Sequence, residues 1–221
     1  MIINYFDLGL YKDGLELEEV YKNILPKFNL PFRCYGIEAN PYYMKELKAK
    51  FKDKIWLDIF NLAICDKNEQ ITLYLSKNQI GDSIYDTKKG LRKRSVNVRG
   101  STFSNFLEDN NIQLEGNINI CKINIEGAEW VFFKELVDKD LLKHFNLFCG
   151  SGDDVNKIGE FVENGIDKDY EKLLQDNNIT IYPFCMTNNK DKNIDFSTTL
   201  DTITKEHRKE FVRDMIYNLK I

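Results

Sequence analysis

Ile118-Asn119-Ile120-Cys121-Lys122-Ile123-Asn124-Ile125 runs straight into Glu126-Gly127-Ala128-Glu129, after which Trp130, Phe133, Val137 and Leu141 recur at three- and four-residue spacing. An apolar run of strand length with so few interruptions suits a strand buried on both faces, and the spacing that follows puts one apolar stripe on a helix. The helix is expected to end near His144, with residues 145–149 as the next strand. Strand, helix and strand in that order make a parallel crossover.

The same alternation extends in both directions. Upstream, residues 2–8 form an apolar run, then Leu17, Val20, Tyr21 and Ile24 mark a helix that Pro26 stops. Residues 32–37 form a second run ending at Glu38. Asn40-Pro41 then reads as a side-chain cap with proline at the first helical position, ahead of Met44, Leu47 and Phe51. Residues 55–64 read as a third strand and 70–75 as an additional one. Residues 76–100 are polar and read as a loop; Ser101 caps a short helix with Phe103, Phe106 and Leu107. Downstream, residues 155–177 are helical in two pieces broken at Gly165, and 179–184 are a sixth strand. A closing helix over 202–219 carries Ile203, His207, Phe211 and Met215. The expected architecture is a single α/β domain over 1–221, a mostly parallel sheet with helices on both faces.

Composition narrows the function classes. The 221 residues are 43% hydrophobic with 12 Gly and 4 Pro, a globular balance rather than a disordered one. With 31 basic and 35 acidic residues and net charge -4, the chain does not suit electrostatic wrapping of nucleic acid. It has no long apolar span and no signal-like start, so a cytoplasmic protein is expected. The 5 cysteines (Cys34, Cys65, Cys121, Cys149 and Cys185) are widely spaced and read as buried thiols, without a zinc pattern.

Parallel sheets place ligands beyond the carboxyl ends of their strands. The first strand ends Asp7-Leu8-Gly9, where glycine lets backbone approach a ligand and the carboxylate favours a cationic or hydroxyl-bearing one over a pyrophosphate. S-adenosylmethionine has both features. Glu38 ends the second strand, where an acid can accept both hydroxyls of an adenosine ribose. Strand alternation puts Lys122, Asn124 and Glu126 on one face, and burying such groups is costly unless they pair or bind something. An internal Lys122 to Glu126 ion pair, with Glu129 at the favourable helix end, is the plainer alternative. Tyr11, Tyr42 and Tyr43 near the strand exits can stack on adenine or simply pack.

Taken together, Asp7-Leu8-Gly9, the run from Tyr35 to Pro41, the run from Asn61 to Asp66 and the run from Lys122 to Glu129 occur in the order and approximate spacing of the FkbM-type methyltransferases. The chain resembles that family from about residue 4 to 137, and the run from Lys122 is its most specific part. The resemblance implies a seven-stranded class I methyltransferase fold, Rossmann-like, that uses S-adenosylmethionine to methylate a hydroxyl, often of a sugar or secondary metabolite. On that resemblance Asp7 and Gly9 flank the methionine part, and Glu38 holds the ribose. Asn61 and Ala63 lie beside the adenine, with Gly14 and Ala39 completing the cofactor-binding set. Lys122, Asn124 and Glu126 face the methyl group and the acceptor. The sequence departs from the family at Leu10, at an apparent insertion of Lys12, at Asn124 in place of aspartate, and after the fifth strand at residues 149–154. Asn124 weighs against a metal site, and none is expected.

Methyl transfer from a sulfonium is an in-line displacement that asks for alignment, water exclusion and removal of one hydroxyl proton. Glu126 is the expected proton acceptor or acceptor-orienting group, with Lys122 keeping it ionised. Asn124, an amide, is expected to hydrogen-bond acceptor or cofactor. Neither His144 nor His207 is placed at a strand exit. Lys88, Lys89, Arg92, Lys93, Arg94 and Arg99 form the one basic cluster, either a solvated loop or the seat of an anionic acceptor such as a nucleotide-linked sugar. Two other function classes stay open: a non-catalytic binding protein of the same fold, and a nicotinamide-dependent oxidoreductase, which lacks its G-x-G-x-x-G turn here.

Overall fold

The fold is described from a computed structural model in which residues 1–77 and 81–183 are placed. Cys185, His207, the end of the sixth strand at Phe184 and the closing helix over 202–219 lie outside the described residues.

Among the described residues the main sheet has six parallel strands: β1 (Ile3–Leu8), β2 (Phe32–Glu38), β3 (Leu57–Asn61), β7 (Ile118–Ile123), β8 (Leu147–Gly150) and β9 (Ile181–Pro183), in the order β3-β2-β1-β7-β8-β9. The strand order reverses beside β1, whose partners are β2 and β7. All six residues of β1 are buried, which is why its sequence lacks alternation. The smaller sheet contains β4 (Ala63–Ile64), β5 (Gln70–Ser76) and β6 (Leu91–Ser101), with β5 and β6 antiparallel.

Helices α1 (Leu15–Glu19) and α2 (Met44–Lys50) cover one face of the main sheet, burying Leu17 and Leu47 against Tyr5, Cys34 and Ile120. The opposite face packs on α3 (Phe103–Asp109), α4 (Glu129–Asp138), α5 (Gly159–Glu163) and α6 (Ile166–Asp176). Its centre is aromatic: Phe103, Phe106, Phe132 and Phe133 are fully or almost fully buried, and Phe103 meets Phe132 edge to face at 5.1 Å. Each such ring stabilises the fold by roughly 1.5–3 kcal/mol through burial alone. Cys34, Cys65, Cys121 and Cys149 are buried free thiols. No helix among the described residues is long and apolar enough to cross a membrane.

Several local expectations are corrected. The stretch 55–64 is not one strand: Ile55 and Trp56 are exposed, and Ala63–Ile64 leaves the main sheet to pair with Gly100 and Ser101. The 76–100 segment is not simply a loop, because Leu91–Ser101 forms β6. The cap of α3 is Thr102 rather than Ser101, and the Glu135 carboxylate also accepts from the Phe103 and Ser104 N–H groups. Asn40 does not cap α2, which starts at Met44; its side chain instead accepts from the Tyr42 N–H in an Asx turn. Helix α4 ends at Asp138, and a separate 3₁₀ turn, Leu142–His144, follows.

Candidate active site

The register of the central strands sets Asp7 beside Lys122 and Gly36, so the exits of β1, β2 and β7 open at one level. Gly9 leaves β1 with φ +93°, and a Cβ there would lie 2.0 Å from the Asn124 carbonyl oxygen. The Asn124 N–H donates to the Leu8 carbonyl at 2.8 Å, so the two exits are stitched together where the chain turns. Glycine is therefore demanded by backbone approach as well as by dihedral.

Glu38 is buried at the mouth of β2 and accepts from the Tyr11 N–H at 2.8 Å and the Asn40 N–H at 2.7 Å. Burial pushes its carboxyl up to about 7, against those two hydrogen bonds. A carboxylate has acceptor capacity beyond two bonds, so Glu38 can still receive ligand hydroxyls. The Asn61 amide donates to the Glu38 and Ala39 carbonyls, which makes it a support of this turn.

The expected pairing of Lys122 with Glu126 is not what the structure contains. The Lys122 ammonium, almost fully buried, lies 3.0 Å from Asp7 and 2.9 Å from Glu16 and donates to the Gly9 carbonyl at 2.8 Å. Burial pulls it down, but the two carboxylates outweigh that and hold it charged. Burial pushes Asp7 the other way, up to about 6, against the pull of Lys122 and with a smaller addition from the Glu16 charge. Lys122 and Asp7 thus form the rigid underside of the Gly9 turn.

Strand alternation fails beyond Ile123, where β7 ends, and it cannot place Glu126. Glu126 and Gly127 have φ values of +57° and +109°, two successive left-handed residues that swing the chain out of the sheet. A side chain on Gly127 would collide with Ile158 at 2.6 Å. The swing brings the Glu126 carboxylate onto the ammonium of Lys88, which also donates to the Gly81 carbonyl. Ser83 Oγ donates to the Glu126 carbonyl at 2.7 Å. Burial, then Asp154, raises the Glu126 carboxyl, and Lys88 opposes them. Glu129 is buried and accepts from the Ile125 and Gly127 N–H groups, so it closes the turn. Burial and Asp154 push it up to about 8.

These exits enclose a cavity of about 320 Å³ whose lining includes Gly9, Glu38, Ala39, Ala63, Asn124 and Glu126. That volume lies in the range of small-molecule sites. Asp7, Gly14, Asn61 and Lys122 do not line it: the first and last sit beneath it, and Gly14 packs at the start of α1 against the Phe51 ring. Tyr11 and Tyr43 meet edge to face at its rim, and Leu10 contributes to the wall without filling it. Neither Glu16 nor Asp82 carries a sequence signal as part of this site, and Lys88 stands out in the sequence only as a member of the basic cluster. Asp82 lines the cavity and accepts from the Asn40 amide and the Ser76 N–H. No cluster of metal-ligating side chains occurs among the described residues, and His144 lies at the amino-terminal edge of the sheet, beside Asn119.

A family model described as the methyltransferase FkbM domain matches residues 20–164. The chain belongs to the FkbM methyltransferase family. The match begins after the Asp7-Leu8-Gly9 turn and reaches past α4 into α5 and its flanking turn, so the methyltransferase assignment rests on the β2 to α5 portion. No curated protein and no solved structure matches the chain.

A methyl donor of the S-adenosylmethionine type fits this FkbM cavity on two observations. Gly9 presents bare backbone to the cavity, and Glu16, Glu38 and Asp82 give the walls an acidic character suited to a sulfonium. The same buried acids govern stability. Asp7, Glu38 and Glu129 hold protons in the folded protein, at about 6, 7 and 8, that unfolded carboxyls near 3.8 and 4.5 release. Their contribution therefore falls as pH rises from about 4 to about 8. Urea unfolding should give a higher free energy at about pH 5 than at about pH 8, and a flat or inverted dependence would contradict this.

Proposed function

We propose that this FkbM protein is an S-adenosylmethionine-dependent O-methyltransferase acting on a hydroxyl of a sugar, glycan or small metabolite. The observation carrying this reading is the convergence of Glu38 and Glu126 on one cavity, one suited to ribose hydroxyls and one suited to a reacting hydroxyl. The donor would supply an electrophilic methyl group. Glu38, Ala39 and Ala63 would hold its adenosine part, and the Gly9 turn, braced by Lys122 and Asp7, its amino-acid part.

Glu126 accepts the proton of the acceptor hydroxyl at its carboxylate, and Lys88 keeps that carboxylate ionised. Asn124 donates or accepts a hydrogen bond beside it and does not act as base. Apolar walls from Leu62, Ile84 and Ile125 exclude water from the reacting centre.

Calorimetry tests the first half of the reading. Wild-type protein should bind S-adenosylmethionine, and Glu38→Gln should weaken binding by about tenfold or more, the size of a lost charge-assisted hydrogen bond. Binding of NADH instead, or of neither compound, would overturn it.

A further inference from the structure

The six basic residues between Lys88 and Arg99 do not form one patch. Lys88 turns inward to Glu126, and Arg99 is paired with Asp109 at 2.7 Å. The register of β6 against β5 shifts between the Tyr74–Ser95 and Ser76–Leu91 pairs, so Arg92, Lys93 and Arg94 lie in an irregular, exposed stretch, while Val96 and Val98 beyond it turn inward. Val96 and Val98 pack with Leu73 and Ile84, which themselves line the cavity. The β5–β6 hairpin is therefore apolar over the cavity and cationic further along the strand.

The two arginines sit beside the tyrosines that open α2. The Arg94 guanidinium lies 5.7 Å from the centre of the Tyr42 ring, and Tyr42 is 57% exposed. Arg92 is close enough to Tyr43, a wall of the cavity, to pull against the burial that raises its phenol. It gives one donor to the Lys77 carbonyl and retains others. Below this pair the cavity presents Glu16, Glu38 and Asp82.

We propose that Arg92 and Arg94 form an anion-recognition rim selecting a methyl acceptor that carries a phosphate or diphosphate group. The inference rests on the methyltransferase reading of the cavity and adds the chemical class of its acceptor. A positive rim over a negative interior orients a dipolar molecule: the anionic end stays outside on the arginines, and the uncharged hydroxyl end enters toward Glu126. A cationic acceptor would meet repulsion at the rim, and a neutral one would leave both guanidinium groups unused. Guanidinium suits this task because its planar fork donates two parallel hydrogen bonds to phosphate oxygens, and an aromatic face such as Tyr42 fixes its plane.

Inorganic pyrophosphate and uridine diphosphate serve as probes in calorimetry on the full chain at low salt. The two comparison proteins are Arg92→Gln/Arg94→Gln and Lys89→Gln/Lys93→Gln, which lose the same charge from neighbouring positions of one segment. The proposal expects wild type to bind both probes, the arginine pair to bind about tenfold more weakly or worse, and the lysine pair to bind within about twofold of wild type. It fails if wild type binds neither probe or if both double variants lose affinity equally. It also fails if a single-stranded oligonucleotide binds more tightly than the diphosphates and depends on Lys89 and Lys93. S-adenosylmethionine titrated into the same proteins should bind all three alike. Its failure to bind wild type would sink the methyltransferase reading separately, without altering what the diphosphate titrations report about the rim.

Discussion

Gly9→Ala is expected to lower stability by roughly 3 kcal/mol or more and to abolish S-adenosylmethionine binding. The added Cβ would sit 2.0 Å from the Asn124 oxygen and 2.9 Å from its carbonyl carbon. Both are backbone atoms of the β7 exit, so no side-chain rotation relieves the clash. The exit cannot simply withdraw, because the Asn124 N–H is bonded to Leu8 and the Gly9 carbonyl accepts from buried Lys122. The residue is also held at φ +93°, where a side chain is strained whatever the space. Relief would require parting β1 from β7 at the point where the cavity is built. Gly116→Ala is the control: its φ is +72° with nothing within 4 Å of the new atom, so it should cost only about 1 kcal/mol. Urea unfolding and calorimetry on the two variants check this, and equal midpoints would refute it.

Glu126→Gln is expected to reduce methyl transfer by about 10²- to 10⁴-fold while leaving donor affinity near wild type. The amide is nearly isosteric and keeps the turn, but it accepts no proton at neutral pH. Lys88→Met provides the companion result. Without the ammonium, burial and the Asp154 charge act on Glu126 against Lys157 alone, with Glu129 the other charged group nearby. Its carboxyl then ionises at higher pH, and the acidic limb of the rate profile moves upward, whereas Lys88→Arg restores it. Mass shift of a methylated saccharide acceptor measures turnover across pH. Full turnover by Glu126→Gln, with donor still bound, would remove Glu126 from the proton-accepting role.

Much of the main sheet is readable because its strands are buried on both faces. Residues 2–8 and 118–125 read as strands with mostly apolar residues, and each lies within two residues of the observed strand. The hairpin escaped the same reading. Arg92, Lys93 and Arg94 stand in sequence with no alternation, and β6 owes its conformation to pairing with β5 rather than to a buried pattern. The stretch 55–64 misled for the opposite reason: its apolar residues are contiguous, yet Ile55 and Trp56 are exposed and Ala63 belongs to another sheet.

At the site, chemistry was legible and partnership was not. Asp7, Lys122, Glu126 and Glu38 stand out as polar groups ending apolar runs, because such groups are costly to bury without purpose. Which cation meets which carboxylate depends on contacts made across 38 residues for Lys88 and Glu126, and on register for Asp7 and Lys122. Glu16, in the first turn of α1, carries no signal separating it from an ordinary acidic helix start.

By itself the amino-acid order determined that this chain builds a parallel α/β sheet, that polar residues end its apolar runs, and that a glycine follows the first of them. These properties depend on burial period and residue chemistry, which are local. Tertiary structure alone decided that Lys122 braces the Gly9 turn, that Lys88 serves Glu126, and that Arg99 and Arg94 leave the basic cluster for Asp109 and Tyr42. Charge pairing is fixed by distances of a few ångström between segments far apart in the chain, and those distances exist only once the strands have packed.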